Sequence, residues 1–231
     1  MQKSMQATTA DPVAASPART AHGDRTHREI LSKAADLASS QGLEGLTIGS
    51  LAKALDMSKS GLFAHFGSKQ ELQLAVVDTA AVVFAEKVVA PSLEAPGGVV
   101  RLYALLDAWV GYVESKVFSG GCFWAAVASE FDGRPGVVRD RIVELSNGYA
   151  EWMKNEIQRA RHRGQLRASV DASQLTFQFH AYVHGYNWAS QLHGDHDAAS
   201  RARLAIRRCI EDAATQKGVH ALAAFISKER N

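Results

Sequence analysis

The chain has 231 residues, 46% of them hydrophobic, with 26 Lys and Arg against 24 Asp and Glu and a formal net charge of +2. Such a composition supports a buried core but excludes a uniformly basic chain, so any nucleic-acid contact must come from a local cluster of cations. Two cysteines, Cys122 and Cys209, make no disulfide framework and fit a reducing cytoplasm, and no apolar run approaches the roughly 20 residues of a membrane span.

Residues 1–23 are rich in Ala, Thr, Ser, Pro and Gln, with only Lys3 and Arg19 basic, and lack both helical periodicity and the apolar core of a secretory signal. They read as a disordered arm. From Arg25 onward Ile30, Ala34, Leu37 and Ala38 recur at helical spacing until Gly42. Thr47 caps a short helix to about Leu55, and Asp56-Met57-Ser58 is a turn. Ser58 caps a second short helix to Phe66, and Gly67-Ser68 breaks it. Ser68 with Glu71 forms a capping-box signature at the head of a long helix over 69–89, which Pro91 ends.

Further helices are expected over 99–117, 122–131, 137–162, 171–192, 198–216 and 219–228, with breaks at Gly120-Gly121, 133–135, Gly164, Gly194 and Gly218. The fold class is therefore all-α. An N-terminal three-helix domain containing a helix-turn-helix (residues 24–70) is joined to a C-terminal helical bundle (71–231).

Within 46–72 the second short helix divides into two faces. Leu62 and Phe66 face inward with Leu51 and Leu55, leaving Lys59, Ser60, Gly61, Ala64 and His65 outside. Small residues let a helix approach base edges, Lys59 and Ser60 stand at the helix N-terminus where base contacts are made, and helix N-terminal amides favour phosphate. A packing motif explains the buried face but not the small and basic residues gathered opposite it. Thr47 and Lys69 bracket this face as backbone contacts, so the expected DNA-binding set is Thr47, Ser58, Lys59, Ser60, Gly61, Phe63, His65 and Lys69.

These residues resemble the TetR family of repressors. The resemblance rests on the ordered run Thr47, Leu51, Ala52, Ser58, Lys59, Leu62, Phe63, His65, Phe66, Ser68, Lys69 and Leu72. It reaches upstream to about Arg25 and is only general beyond Asp78. Two positions depart from the family pattern: Asp56 stands where the family has Gly, and Phe63 where it has a Tyr whose hydroxyl meets a phosphate. Gly49 also leaves the first short helix without a long basic side chain. The resemblance implies a dimer reading a pseudo-palindromic operator in double-stranded DNA and released by a small-molecule inducer that shifts the helix after Lys69. Residues 121–130 also resemble a Gly-Cys-x7-Glu stretch in some family members' sensor bodies.

For the dimer interface, Leu175, Phe179, Tyr182 and Tyr186 on one helix and Ile206, Cys209 and Ala213 on the next repeat at helical spacing, with an intramolecular core as the other reading. For the ligand site, aromatic and polar residues share faces in the body: Trp109, Tyr112, Trp124, Tyr149, Trp152, His180, His184 and Trp188. Plain core packing is the alternative for each. His180 and His184 lie four apart, but no Cys or carboxylate completes a metal set, and neither a metal nor a cofactor is expected. No HExxH, CxxC, GxSxG or phosphate-cradling glycine loop is present, so catalysis is not expected. Two alternative functions remain: a helical protein-binding module without DNA binding, and control by thiol oxidation at Cys122, which stands at a helix start.

Overall fold

The computed structural model describes residues 21–229, and the expected arm over residues 1–20 lies outside them. The described residues form eleven α-helices and no strand; the one β-type contact is an isolated bridge between Leu166 and Ala214. The first helix, α1 (Ala21–Gln41), starts ahead of Arg25, so residues 21–23 are helical rather than part of the arm. Helices α2 (Ile48–Ala54), α3 (Lys59–Phe66) and α4 (Lys69–Phe84) follow. Ile30, Leu31, Ala34 and Ala38 of α1 pack with Leu51, Leu62, Leu72 and Val76 in one hydrophobic core.

Each short helix starts on a side-chain cap. Thr47 accepts from the Ser50 N–H at 3.0 Å while Ser50 Oγ accepts from the Thr47 N–H, a reciprocal box that satisfies two otherwise unpaired donors. Ser58 accepts from the Gly61 N–H at 3.1 Å, and Ser68 from the Glu71 N–H at 3.1 Å. The turn between α2 and α3 puts Asp56 at φ 52, a left-handed conformation that Asp tolerates better than most residues.

Pro91 does not end the fourth helix as its position predicts. Residues Ala85–Val89 widen into a π-helical turn, and α5 (Ala90–Glu94) continues from it. The Ala90 N–H reaches back five residues to the Ala85 carbonyl. The wider turn lets the chain pass a proline that has no N–H to donate and whose ring crowds a preceding carbonyl.

The body is built around α6 (Val99–Glu114), whose Leu102, Leu105, Leu106, Trp109, Val110 and Val113 are all buried. Around it lie α7 (Phe123–Phe131), α8 (Val137–His162), α9 (Ala172–His193), α10 (Ala198–Ala213) and α11 (Gln216–Glu229). Gly218 lies inside α11 instead of breaking the chain before it, and α6 and α10 stop three residues short of their expected ends. Helix α4 packs on α1 at one side and on α8 at the other, so it belongs to both halves of the molecule.

Candidate nucleic-acid interface and ligand cavity

Helix α3 presents its outer face as the sequence pattern requires. Leu62 is fully buried and Phe66 nearly so, whereas Lys59, Ser60 and Ala64 are exposed and Phe63 is 54% exposed. Gly61 is half-buried under the Ser58 cap, and the Lys59 side chain lies over Gly49, where a Cβ would meet Lys59 Cε at 3.4 Å.

Two members of the expected contact set have intramolecular partners. The Lys69 ammonium, expected as a DNA backbone contact, donates to the Glu44 carbonyl at 2.6 Å and to its carboxylate at 2.7 Å. Lys69 reaches Glu44 because the loop before α2 folds back over the start of α4, and both side chains stay largely exposed. His65 is half-buried, with its ring 5.9 Å from that of His27 and 6.2 Å from that of Phe66, so it packs across to α1 as well as facing outward.

In the body, a cavity of about 380 Å³ lies between α4, α6, α7, α8 and α9. Trp109, Trp124, Tyr149, His180 and His184 line it as expected, together with Ala81, Phe84, Ala85, Val89, Ala128, Leu145 and Ser146. Phe84, Trp109 and Tyr149 meet edge to face at 5.1 to 5.4 Å between centroids. Such T-shaped contacts fix ring orientation. His180 Nδ1 lies 2.9 Å from the Thr176 carbonyl, to which it donates. Burial holds both His180 and His184 below the ordinary histidine pKa, and the neighbouring His180 lowers His184 further.

Three expected ligand contacts are elsewhere. Trp188 is 59% exposed on α9, one turn beyond the cavity-lining His184, and meets His193 edge to face at 4.3 Å. Tyr112 is buried behind Phe84 and against Phe118, one layer back from the cavity wall. Trp152 is half-buried and stacks on Tyr149 at 6.1 Å without lining the cavity.

The expected dimer stripe also needs correction. Leu175, Phe179, Tyr186, Ile206 and Ala213 are buried within the chain, where α9 and α10 pack on each other and on α6. Tyr182 and Cys209 are half-buried at a groove between α9 and α10, with the Cys209 thiol 3.7 Å from Gln178 Oε1. A helical stripe of apolar residues is the same signal for an internal core and for an interface, and here the core claimed it. The exposed apolar residues fall on the opposite face: Phe177, Trp188 and Leu192 on α9 and Leu204 on α10.

Cys122 is 1% exposed, and burial pushes its thiol above the ordinary value. The position at the start of α7 does not produce a reactive thiolate, because desolvation outweighs the helix end. The thiol-oxidation alternative therefore loses its chemical basis.

The wall helix α7 also touches the DNA-reading end. The Glu130 carboxylate accepts from the backbone N–H groups of Leu43 at 2.7 Å and Glu44 at 2.9 Å. Before α7, the Ser119 N–H donates to Asp36 at 2.8 Å and the Gly120 N–H to Ser39 Oγ at 3.0 Å. The Cys122 N–H donates to Asn187 of α9 at 2.8 Å. The alanines of the wall (Ala81, Ala85, Ala128) were missed because small residues leave no apolar periodicity to read; only the Gly-Cys-x7-Glu stretch hinted at Glu130.

Comparison with known proteins agrees with this geometry. Residues 30–76 match bacterial regulatory proteins of the tetR family, and residues 98–206 match the tetracyclin repressor-like C-terminal domain. No curated protein sequence matches. Among solved structures, a TetR transcriptional regulator from Chloroflexus aurantiacus superposes with a TM-score of 0.78 at 25% identity, covering 84% of this chain and 98% of that one. A TetR-family regulator from Cytophaga hutchinsonii gives 0.74 at 17% identity, covering 86% and 99%. AibR, solved in complex with isovaleryl coenzyme A and operator DNA, gives 0.58 at 25% identity, covering 71% and 84%. With a tetR-type head, the matching C-terminal domain and an outward-facing reading helix all in one chain, the protein belongs to the TetR family of DNA-binding transcriptional regulators.

Proposed function

We propose that the protein is a cytoplasmic repressor that binds a pseudo-palindromic operator as a homodimer and leaves it when a small molecule fills the α4–α9 cavity. The observation that carries the DNA-binding half is the split of α3 into a buried Leu62–Phe66 face and an exposed Lys59–Ser60–Phe63–Ala64 face. In this reading residues 24–70 are the DNA-binding head and 71–231 the sensing and dimerising body, with α4 joining them. Lys59 and Ser60 read base edges, while Thr47, Ser58, Gly61, Phe63 and His65 lie along the sugar-phosphate wall. Lys69 acts by holding the Glu44 loop against α4. A neighbouring structure that holds operator DNA supports the assignment.

The homodimer is assigned to the exposed α9–α10 face that carries Phe177, Trp188, Leu192 and Leu204. Two such helices from each chain form a four-helix interface and set the recognition helices about one helical turn of DNA, roughly 34 Å, apart.

The test starts by selecting bound fragments from the source genome and titrating them by fluorescence anisotropy. Affinity should fall steeply with salt, because phosphate contacts release counterions. Lys59→Ala should change the preferred sequence. Wild-type affinity and preference in both Lys59→Ala and Phe63→Ala, or a salt-independent affinity, would refute the assignment and favour protein docking by the head.

A further inference from the structure

The cavity wall carries no Lys, Arg, Asp or Glu among the described residues. Desolvation lowers the pKa of its two histidines, His180 half-buried and His184 at the more exposed edge. A carboxylate placed there would lose its hydration without a counter-charge, which costs far more than apolar contact returns, and a cation would have only ring faces to offset the same loss. Its lining is aromatic and aliphatic, and about 380 Å³ is room for roughly a dozen water-sized groups. A highly charged ligand does not fit that description.

The hydrogen-bonding groups are few and complementary. Tyr149 OH is buried with no hydrogen-bond partner, whereas Trp109 Nε1 lies beside the Cys122 thiol. Burial raises the Tyr149 pKa, so the hydroxyl stays protonated and can donate. His180 uses Nδ1 to donate to the Thr176 carbonyl, which makes Nε2 the accepting nitrogen. The Tyr149 and His180 rings lie 5.9 Å apart between centroids, and the Trp109 ring is 5.5 Å from His180. Two hydrogen bonds of about 2.8 Å through one oxygen span polar atoms up to roughly 5.5 Å apart. A hydroxyl is the group that accepts one proton and donates another at a single atom.

We propose that the cavity takes an uncharged, ring-bearing compound with a hydroxyl group, which accepts from Tyr149 and donates to His180 Nε2. This deepens the reading of the cavity as the inducer site and rests on it. The rings around Phe84 and Trp109 cover the ligand's apolar body, and the neutral wall rejects carboxylates and quaternary cations of the same size.

The experiment is calorimetric titration of the full chain at pH 7.5 with four probes on one skeleton: 2-naphthol, naphthalene, 2-naphthoate and 2-naphthyltrimethylammonium. 2-Naphthol should bind at least tenfold more tightly than each of the other three. Tyr149→Phe and His180→Leu should each cut the naphthol-to-naphthalene ratio at least threefold and leave naphthalene within twofold. The chemical class is overturned if either ion binds as tightly as 2-naphthol, if both variants keep the wild-type ratio, or if none of the four binds. Ala128→Trp, which fills the cavity, should abolish binding of every probe. Naphthol binding that survives Ala128→Trp would instead overturn the location of the site, a separate failure from that of the ligand class.

Discussion

Glu130, on the helix that walls the cavity, accepts from the backbone N–H of Leu43, in the loop that leads into the DNA-reading helices, at 2.7 Å. Its other carboxylate oxygen takes the Glu44 N–H at 2.9 Å, and Glu44 is in turn held by Lys69 and Gln73 of α4. The Gln73 amide also donates to the Leu43 carbonyl at 3.1 Å. One short loop is therefore gripped from two sides, by α7 and by α4, and both helices line the cavity. A ligand that moves either helix must move the loop. Glu130→Ala should leave ligand affinity within twofold but weaken ligand-driven release from the operator. Loss of two charge-assisted bonds should also lower stability by about 1–3 kcal/mol. Anisotropy titrations of operator with and without ligand check the coupling, and a variant released as readily as wild type would show that Glu130 transmits nothing.

Gly120 sits where no side chain fits. A Cβ there would lie 2.1 Å from the Ser39 carbonyl oxygen, a backbone atom that cannot swing aside. The close approach allows the Gly120 and Ser119 amides to bond Ser39 and Asp36 of α1. Gly120→Ala should push the loop off α1 and destabilise the fold by about 1–3 kcal/mol, as overpacking does. Urea denaturation measures it. Unchanged stability would mean that the α1 contact is dispensable.

The DNA-reading segment was legible because its signals are local. Caps at Thr47, Ser58 and Ser68, a left-handed turn residue and a two-faced octet all act within a few residues of one another. The body was less legible for a physical reason. Phe179 and Ile206 show the periodicity of any buried stripe, and only the tertiary packing of α9 and α10 on each other and on α6 decides that they face inward. Trp188 and Trp109 are the same residue type on similar helices, yet one is exposed and the other buried. The π-turn at Ala85–Val89 leaves no local signal beyond Pro91 itself, which reads equally well as a stop.

The cavity histidines make stability depend on pH in a defined direction. Burial depresses the pKa of His180 and, with help from His180, that of His184. The unfolded chain takes up protons near pH 6.5, the ordinary histidine value, while the folded chain still refuses them. Their contribution is fully present above about pH 6.5 and is lost as pH falls from there through the depressed folded values. His180→Phe removes its share, so its stability should decline less than wild type between pH 7.5 and 5.5. Parallel declines in urea titrations at the two pH values would refute the assignment.

Phe63 stands 54% exposed on the reading helix, at the position where the tetR pattern carries a tyrosine. Phe63→Tyr adds a hydroxyl in reach of the DNA backbone and removes no packing inside the chain. One added hydrogen bond to a charged phosphate should tighten operator binding by about 1.5–3 kcal/mol at most. The gain should be nearly independent of operator sequence, because phosphate contacts position and do not specify. Anisotropy titrations on the selected operator and on a scrambled duplex check both parts. A gain confined to the operator would place residue 63 against bases instead.

On α9, Phe177, Trp188 and Leu192 fall within one helical stripe and are 68%, 59% and 68% exposed. Leu204 adds a half-exposed contact on α10. Three large apolar side chains on one face exceed the scattered exposure of an ordinary surface and fit a partner surface of the same kind. The stripe runs along the face opposite the buried Phe179 and Val183, so changing it spares the internal core. Trp188→Glu combined with Leu192→Glu should place four carboxylates across a two-fold interface and shift the chain from dimer to monomer in sedimentation velocity. Far-UV circular dichroism should stay helical. Operator affinity should fall at least tenfold, since a single head reads only one half-site. A double variant that sediments as wild type would move the interface to another face, with the groove around Tyr182 and Cys209 next in line.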